Sequence, residues 1–178
     1  MLTKTLSSAS AVLPFLVALS ALAADKSAPS PPLVLEKDTV LDPAKTYGRM
    51  VIKASGITID GKGASIVGAT EGDPKNFQET GISAEGISGV TLKNVKVNGW
   101  ETGLTVKNGE KWTIENCNFS GNFHDPKFGW GENGRRGGIV LTGVKQSKLR
   151  KNRANNVWDG CVLVDCDENL LEGNDFSH

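Results

Sequence analysis

A glycine followed by an apolar, a variable and a second apolar residue occurs four times along this chain, always in one register. The first two copies are 22 residues apart, and so are the last two. A second apolar marker, at Leu92, Ile114, Leu149 and Leu171, steps by 22, 35 and 22 residues. A fixed period of this size predicts a solenoid, in which each turn of the chain stacks on the turn before it. The four copies are Gly81-Ile82-Ser83-Ala84, Gly103-Leu104-Thr105-Val106, Gly138-Ile139-Val140-Leu141 and Gly160-Cys161-Val162-Leu163.

Numbering each repeat from its marker residue, with Ile59 as the first marker, shows which positions stay apolar. Apolar residues recur at the fifth, twelfth and fourteenth positions and alternate with polar residues at period two, which indicates strands. No stretch after the first 23 residues shows a helical period. The sequence therefore predicts an all-β parallel β-helix with at least two short strands per turn. We expect the repeat glycine to supply backbone freedom at the corner before the second strand. The fifth position holds Ala64, Val97, Phe119, Ala154 and Phe176.

The position directly after each marker supports this register, because its charge alternates in sign at every step. Stacked at the strand spacing of about 4.8 Å, each charge would lie between two opposite charges, which avoids like-charge pairs. The residues are Asp60, Lys93, Glu115, Arg150 and Glu172.

Asparagines and cysteines within the repeats are interpreted mainly as structural. Asparagine tolerates left-handed backbone and can form stacked amide ladders, with a polar binding row as the alternative. The asparagines are Asn94, Asn116, Asn152 and Asn174. We interpret the three cysteines, Cys117, Cys161 and Cys166, as small buried side chains. The alternatives are a disulfide or a thiol ligand to a soft metal.

The chain divides into an export signal, a leader and the repeats. A basic residue, an apolar stretch and an Ala-Leu-Ala site predict a signal peptide over residues 1–23, and hence a secreted or periplasmic protein. Residues 24–32 are rich in proline and small polar residues, which predicts a flexible leader. We expect an amino-terminal cap over residues 33–47 and the repeats over residues 48–178. The last repeat stops before its second strand, so we expect a solenoid truncated at its carboxyl end.

The charge balance and hydropathy limit the classes of partner. The chain carries 20 basic and 20 acidic residues, whereas a nucleic-acid partner would require a basic surface. No segment after the signal is apolar enough to span a membrane. We therefore expect neither a nucleic-acid partner nor an integral membrane segment.

The rung pattern I-x-N-x-x-(V/F)-x-x-x-x-x-G-(I/L)-x-(V/L), carried by Ile114 to Leu141 and in part by Leu149 to Leu163, resembles a known repeat. It is similar to the right-handed parallel β-helix repeats of the pectin-lyase-like superfamily. Within it, the chain most resembles the right-handed β-helix region group, which includes the periplasmic accessory protein for nitrous-oxide reductase. The resemblance covers roughly residues 48–178 and implies the fold. It implies no single activity, because the superfamily includes lyases, hydrolases, epimerases and members with no demonstrated chemistry.

Two repeats are longer than the others, and both carry the excess at the same corner. The extra residues lie near 68–78 and 123–135, and both insertions contain Asp-Pro-Lys. Uninterrupted repeats add Trp100-Glu101 and Trp158-Asp159 at this corner. Insertions collected on one face of a solenoid commonly form its binding face. We therefore predict that this edge is the functional one.

The residue types at this edge are those that a polysaccharide groove needs. Aromatic rings stack on the apolar faces of sugars, and an arginine pairs with a uronate carboxylate. The sequence predicts binding or processing of polysaccharide. The alternative is that the second insertion packs its aromatic rings on the solenoid wall and pairs its arginines with nearby carboxylates. The predicted substrate-binding residues are Trp100, Glu101, Phe128, Trp130, Glu132 and Trp158.

Catalysis by a polyuronate lyase or epimerase needs a base, an acid, and a group that neutralises the substrate carboxylate. His124 is the candidate base, and Arg135 or Arg136 would neutralise the carboxylate. Alginate epimerases carry Asp-Pro-His, whereas here the histidine precedes Asp-Pro, and no pectate-lyase set is found. A glycoside hydrolase and a non-enzymatic periplasmic or surface scaffold stay open. The candidate catalytic residues are His124, Asp125, Arg135, Arg136 and Asp159.

Carboxylates at the same edge could also hold a hard cation such as Ca²⁺, which prefers oxygen ligands. The residues concerned are Glu79, Glu101, Asp125, Glu132 and Asp159.

Overall fold

A computed structural model of the chain describes residues 31–127 and 134–177. These residues form fifteen short strands and one 3₁₀ helix, at Pro74–Asn76. The strands are β1 (Leu33–Leu35), β2 (Thr39–Val40), β3 (Thr46–Tyr47), β4 (Met50–Ile52), β5 (Thr58–Asp60), β6 (Ser65–Val67), β7 (Thr80–Glu85), β8 (Thr91–Lys93), β9 (Lys96–Asn98), β10 (Thr102–Lys107), β11 (Thr113–Glu115), β12 (Gly137–Thr142), β13 (Lys148–Arg150), β14 (Asp159–Val164) and β15 (Leu170–Glu172).

The strands stack into three parallel sheets. Sheet A contains β1, β4, β7, β10, β12 and β14, and sheet B contains β2, β5, β8, β11, β13 and β15. Sheet C contains β3, β6 and β9 and continues through single bridges at Asn118, Arg153 and Asp175. Each turn of the chain, or rung, therefore contributes to three sheets and pairs with the rungs on either side. The fold is a right-handed parallel β-helix, as predicted from the repeat.

The pairing register agrees with the one read from the sequence. In sheet A, Leu104 pairs with Ile82 and Ile139. In sheet B, Ile114 pairs with Leu92 and Leu149. All of these side chains point into the cylinder and are at most 1% exposed. The stacked aliphatic rows form one continuous core, whose removal from water is the main favourable contribution to folding.

The first long repeat departs from the predicted register in sheet C. Val97 pairs with Ile66, so the assignment of Ala64 to that position was wrong by two residues. The cause is a wider turn after β5, in which Lys62 and Gly63 have φ values of 49° and 91°. The remaining excess lies at 70–78, because the Ala69 N–H still donates to the Gly99 carbonyl at 2.8 Å.

The repeat glycines are required for close packing, and the predicted need for backbone freedom was wrong. None of the four has a positive φ. A Cβ atom on Gly103 would lie 2.7 Å from Asn122 Nδ2, and one on Gly160 would lie 2.6 Å from Phe176 Cβ. Each sheet A strand thus begins directly over the inner row of sheet C. The glycine recurs in these rungs because the same close approach recurs in each of them.

Residues 33–47, predicted to form a cap, supply a first rung that pairs in register with the next. β1 pairs with β4, β2 with β5, and β3 with β6. Leu35 and Leu41 are 4% and 3% exposed. The core therefore begins within this segment.

The charge row is present on the outer face of sheet B. Glu115 pairs in register with Lys93 and Arg150, and Lys93 pairs with Asp60. Lys93 Nζ lies 3.8 Å from Asp60 Oδ2. Arg150 Nε lies 3.0 Å from Glu172 Oε2.

The asparagines support the turn between sheets B and C. Asn94 and Asn116 have φ values of 57° and 53°. Asn152 is 1% exposed, and its Nδ2 donates to the Ile114 carbonyl at 2.8 Å. Its Oδ1 accepts the Cys117 N–H at 3.1 Å. Such bonds satisfy backbone groups that would otherwise be buried without partners.

The three cysteines are free thiols. Cys117 is 2% exposed, as expected for a small core residue, and Cys161 and Cys166 pack partly buried against the core. Burial raises the pKa of the Cys117 and Cys161 thiols to about 12. Neither thiol is thus in the reactive thiolate form at neutral pH.

Candidate functional site

Both insertions leave the solenoid at the corner between sheets C and A. Backbone hydrogen bonds join the rungs on either side of them: the Phe123 N–H donates to the Trp100 carbonyl, and the Trp158 N–H donates to the Phe123 carbonyl, each at 2.8 Å. The second insertion lies between Phe123 and Gly137, whose N–H donates to the Glu101 carbonyl at 2.9 Å. We call this region the insertion edge. It comprises Arg49, Glu79, Glu101, Phe123, Arg136, Trp158 and Asp159.

Arg136 connects the residues of this edge across neighbouring rungs. Its Nε lies 3.3 Å from Glu101 Oε1, and both side chains are about one-third exposed. Its backbone N–H donates to Asp159 Oδ2 at 3.4 Å. Its guanidinium carbon lies 5.0 Å from the centroid of the Phe123 ring, within the range of a cation–π interaction. Arg136 therefore contacts one carboxylate through its side chain and a second through its backbone N–H, and its guanidinium covers one aromatic ring.

A second arginine at the edge is also engaged. Arg49 Nη1 lies 3.2 Å from Glu79 Oε1. Glu79 ends the first insertion with a φ of 62°, an uncommon backbone conformation for a residue with a side chain. Sequence analysis did not identify Arg49, because it stands thirty residues before its partner and within no motif.

Trp100, predicted to bind substrate, instead belongs to the core. It is 6% exposed, and its Nε1–H donates to the Ile66 carbonyl at 3.3 Å. A Cβ atom on Gly81 or Gly68 would lie 2.8 Å from its ring, so the ring fills the space that these glycines leave. Phe123 is 2% exposed. For Phe123 and Arg136, the structure shows the alternative arrangement of wall packing and ion pairing.

The family model described as right-handed beta helix region matches residues 55–178, more than half of the chain. The chain belongs to the right-handed β-helix family. No curated protein and no solved structure matches this β-helix protein. Within residues 31–127 and 134–177, no helix is long and apolar enough to cross a membrane. Membership specifies the fold and leaves the activity to be argued from the site.

The other predicted site residues of the β-helix protein lie on or near the insertion edge. Trp158, His124 and Asp125 are half-buried, and Arg135 is exposed. Three more predicted residues, Phe128, Trp130 and Glu132, lie outside the described residues.

The two Asp-Pro-Lys motifs form similar turns. Asp73 Oδ1 accepts the Lys75 N–H at 3.2 Å, and Asp125 Oδ1 accepts the Lys127 N–H at 2.9 Å. The pKa of Lys75 is raised, mainly by Asp73 and to a smaller extent by the charge of Asp125. The two insertions are thus close enough for their charges to interact.

In the part of the chain that the structure describes, no three carboxylate, histidine or cysteine side chains converge on a point where they could hold a metal ion. Glu101 and Asp159, two of the predicted Ca²⁺ ligands, both contact Arg136. Glu79 is paired with Arg49. Each described carboxylate of the insertion edge thus already contacts an arginine, and the Ca²⁺ site stays a prediction.

Proposed function

We propose that this β-helix protein is exported and binds polysaccharide at the insertion edge. The observation that carries the proposal is the convergence of both insertions on one corner. There, Glu101, Arg136 and Asp159 are joined, with Trp158 one residue before Asp159. Elsewhere the described rungs repeat with little interruption, and departures from a repeat commonly mark its binding face.

The edge offers the groups that sugar binding requires. Glu101 and Asp159 are half-buried carboxylates that can accept hydrogen bonds from sugar hydroxyls. Trp158 is a half-buried ring that can cover the apolar face of a sugar. The contacts to Arg136 limit the freedom of both carboxylates before ligand arrives, which lowers the entropic cost of binding.

The same contacts favour binding over catalysis by a lyase, an epimerase or a hydrolase. A general base must be able to take a proton from the substrate, and a general acid must be able to give one. Glu101 instead pairs with the guanidinium of Arg136, and Asp159 accepts a hydrogen bond from the backbone N–H of the same residue. Processing of the bound chain is the second candidate, with His124 as the base to be tested.

The test is a screen of the mature chain against neutral glycans and polyuronates, with calorimetry for binding and ultraviolet absorbance for unsaturated products. Trp158→Ala and Glu101→Gln should each weaken binding by about tenfold, equivalent to about 1.4 kcal/mol. Glu115→Gln is the matched control, because Glu115 is also half-buried but lies on the outer face of sheet B. It should bind like the parent protein.

Each outcome separates the candidate functions. Binding without product supports the proposal. Product formation that His124→Ala abolishes would make the protein an enzyme. If no glycan binds, the polysaccharide proposal fails and a non-enzymatic scaffold becomes the better hypothesis.

A further inference from the structure

The outer face of sheet A, next to the insertion edge, carries an uncharged row of side chains across five rungs. The row pairs in register from one rung to the next, and we call it the floor. It comprises Val51, Ser83, Thr105, Val140 and Val162. Four of the five are half-buried, and Val140 is 8% exposed. Thr80 adds a hydroxyl whose Oγ1 lies 3.5 Å from Thr105 Oγ1.

Charged residues lie only beside the floor, and they oppose one another. On one side, Glu85 pairs in register with Lys107. Lys53 lies on the other side of Glu85, directly after the strand β4 that pairs with β7, and all three residues are exposed. On the other side of the floor lies the insertion edge. Opposite charges at neighbouring positions leave little net electrostatic field along the floor. A net positive field is what would attract a polyanion.

Two of the edge arginines that could recognise uronate carboxylates already have partners. Arg49 is paired with Glu79 at 3.2 Å, and Arg136 with Glu101 at 3.3 Å. A polyuronate would have to displace a carboxylate of the protein at each of these positions. It would also bring its own charges close to Glu79, Glu101 and Asp159. Both effects reduce the affinity for an acidic chain.

We infer that the ligand of this site is a neutral polysaccharide, extended along the solenoid axis over the floor. The inference rests on the proposed function and specifies its substrate class. Valine methyl groups contact the apolar faces of sugars, and the hydroxyls of Ser83 and Thr105 bond their rims. Rungs follow one another at about 4.8 Å, close to the length that one hexose adds to an extended β-linked chain. Successive sugars therefore meet successive rungs.

The test compares two neutral probes, hydroxyethylcellulose and galactomannan, with polygalacturonate and alginate. Binding is measured by calorimetry at low salt and at about 0.5 M salt, where surface charges are strongly screened. A neutral probe should bind with an affinity that salt leaves unchanged.

Two matched variants locate the ligand on the floor. Thr105 and Thr113 are both half-buried and in central strands, one in sheet A and the other in sheet B. Thr105→Arg places a long charged side chain on the floor and should weaken binding of the neutral probe by about tenfold or more. Thr113→Arg should leave binding unchanged, and circular dichroism confirms that both variants fold.

The possible failures are distinguishable. Binding of polyuronates alone, or binding that is lost at high salt, overturns the neutral-chain inference while the proposed function stands. Equal effects of Thr105→Arg and Thr113→Arg overturn the location on the floor. Absence of binding to all four probes overturns both the inference and the proposed function.

Discussion

Gly103 lies where the sheet A strand passes over the inner row of sheet C, and a side chain there has no room. A Cβ atom would lie 2.7 Å from Asn122 Nδ2 and 2.8 Å from the Gly138 carbonyl oxygen. The carbonyl is held in the sheet and cannot move away easily. We therefore expect Gly103→Ala to lower the free energy of unfolding by about 2–3 kcal/mol, as overpacking does in other cores. Urea unfolding followed by circular dichroism measures it.

Gly48→Ala is the matched control for this prediction. No atom lies within 4 Å of the Cβ position at Gly48, and its φ is not positive. Its free energy of unfolding should change by less than about 0.5 kcal/mol, because a compatible Gly→Ala change mainly reduces the entropy of the unfolded chain. If both alanine variants are equally stable, close packing is not the reason for the repeat glycine.

Single residues also show where prediction of the site from sequence reached its limit. Trp100 was assigned to the edge because its position in the repeat coincides with the corner at which the insertions lie. Its burial depends on Gly68 and Gly81, which belong to the preceding rung and leave space for its ring. That signal is present in the sequence but can be read only once the rungs are stacked. Arg136 was expected at the edge, whereas its pairing with Glu101 follows from the backbone bond of the next residue, Gly137, to the Glu101 carbonyl.

On the outer face of sheet B, Asp60 is the most buried member of the charge row. It is 7% exposed and lies within 4 Å of the ammonium groups of Lys62 and Lys93. The pKa of its carboxyl is lowered from 3.8 to about 2, first by the hydrogen bond from Asn94 Nδ2 and then by bonds from Lys62. Since the folded pKa lies below the unfolded one, this stabilisation is complete above about pH 4 and is lost as the pH falls through about 2.

We expect Asp60→Asn to lower the free energy of unfolding by about 2 kcal/mol at neutral pH, the scale of a charged hydrogen bond. The difference from the parent protein should shrink as the pH falls from about 4 towards 2. Urea unfolding across this range measures it. Asp175→Asn is the control: that carboxyl also has a pKa of about 2, but its side chain is 45% exposed. Its effect should be smaller because solvent screens it. An unchanged acid dependence in Asp60→Asn would contradict this account.

At the level of elements, the register of sheets A and B could be predicted because their apolar rows recur at fixed spacing. The third sheet could not be predicted as such, because past β9 it continues only through single bridges. The misplacement of Ala64 has a related cause. Counting residues between markers gives the number of extra residues in a rung but does not show how they divide between two turns. Here two of the extra residues belong to the turn at Lys62 and Gly63.

For the molecule as a whole, the solenoid should be separable from its insertions. Deletion of residues 70–78 would join Ala69 to Glu79, and the next rung shows that this direct connection exists, as Trp100-Glu101. We expect the shortened protein to fold with a free energy of unfolding within about 1 kcal/mol of the parent, because loop length affects stability weakly. Its affinity for glycan should fall. Urea unfolding and calorimetry measure the two effects.

A second deletion of equal length serves as the control. Removal of residues 68–76 places Phe77 where Gly68 stands, and a Cβ atom there lies 2.4 Å from the Gly99 carbonyl oxygen. This variant should be clearly less stable than the first. If the two deletions behave alike, the proposed division between rung and insertion is incorrect.

The pairing of each rung with its two neighbours also determines how this molecule would respond to force. In all three sheets the bonds between rungs run along the cylinder axis. Tension along that axis loads the rungs in series, so the weakest junction gives way first and the others keep their shape. Traction across the axis shears many hydrogen bonds of a rung together. A polymer bound along the axis would contact several rungs at once. Sliding of the protein along such a polymer would have to break the polymer contacts of all these rungs together.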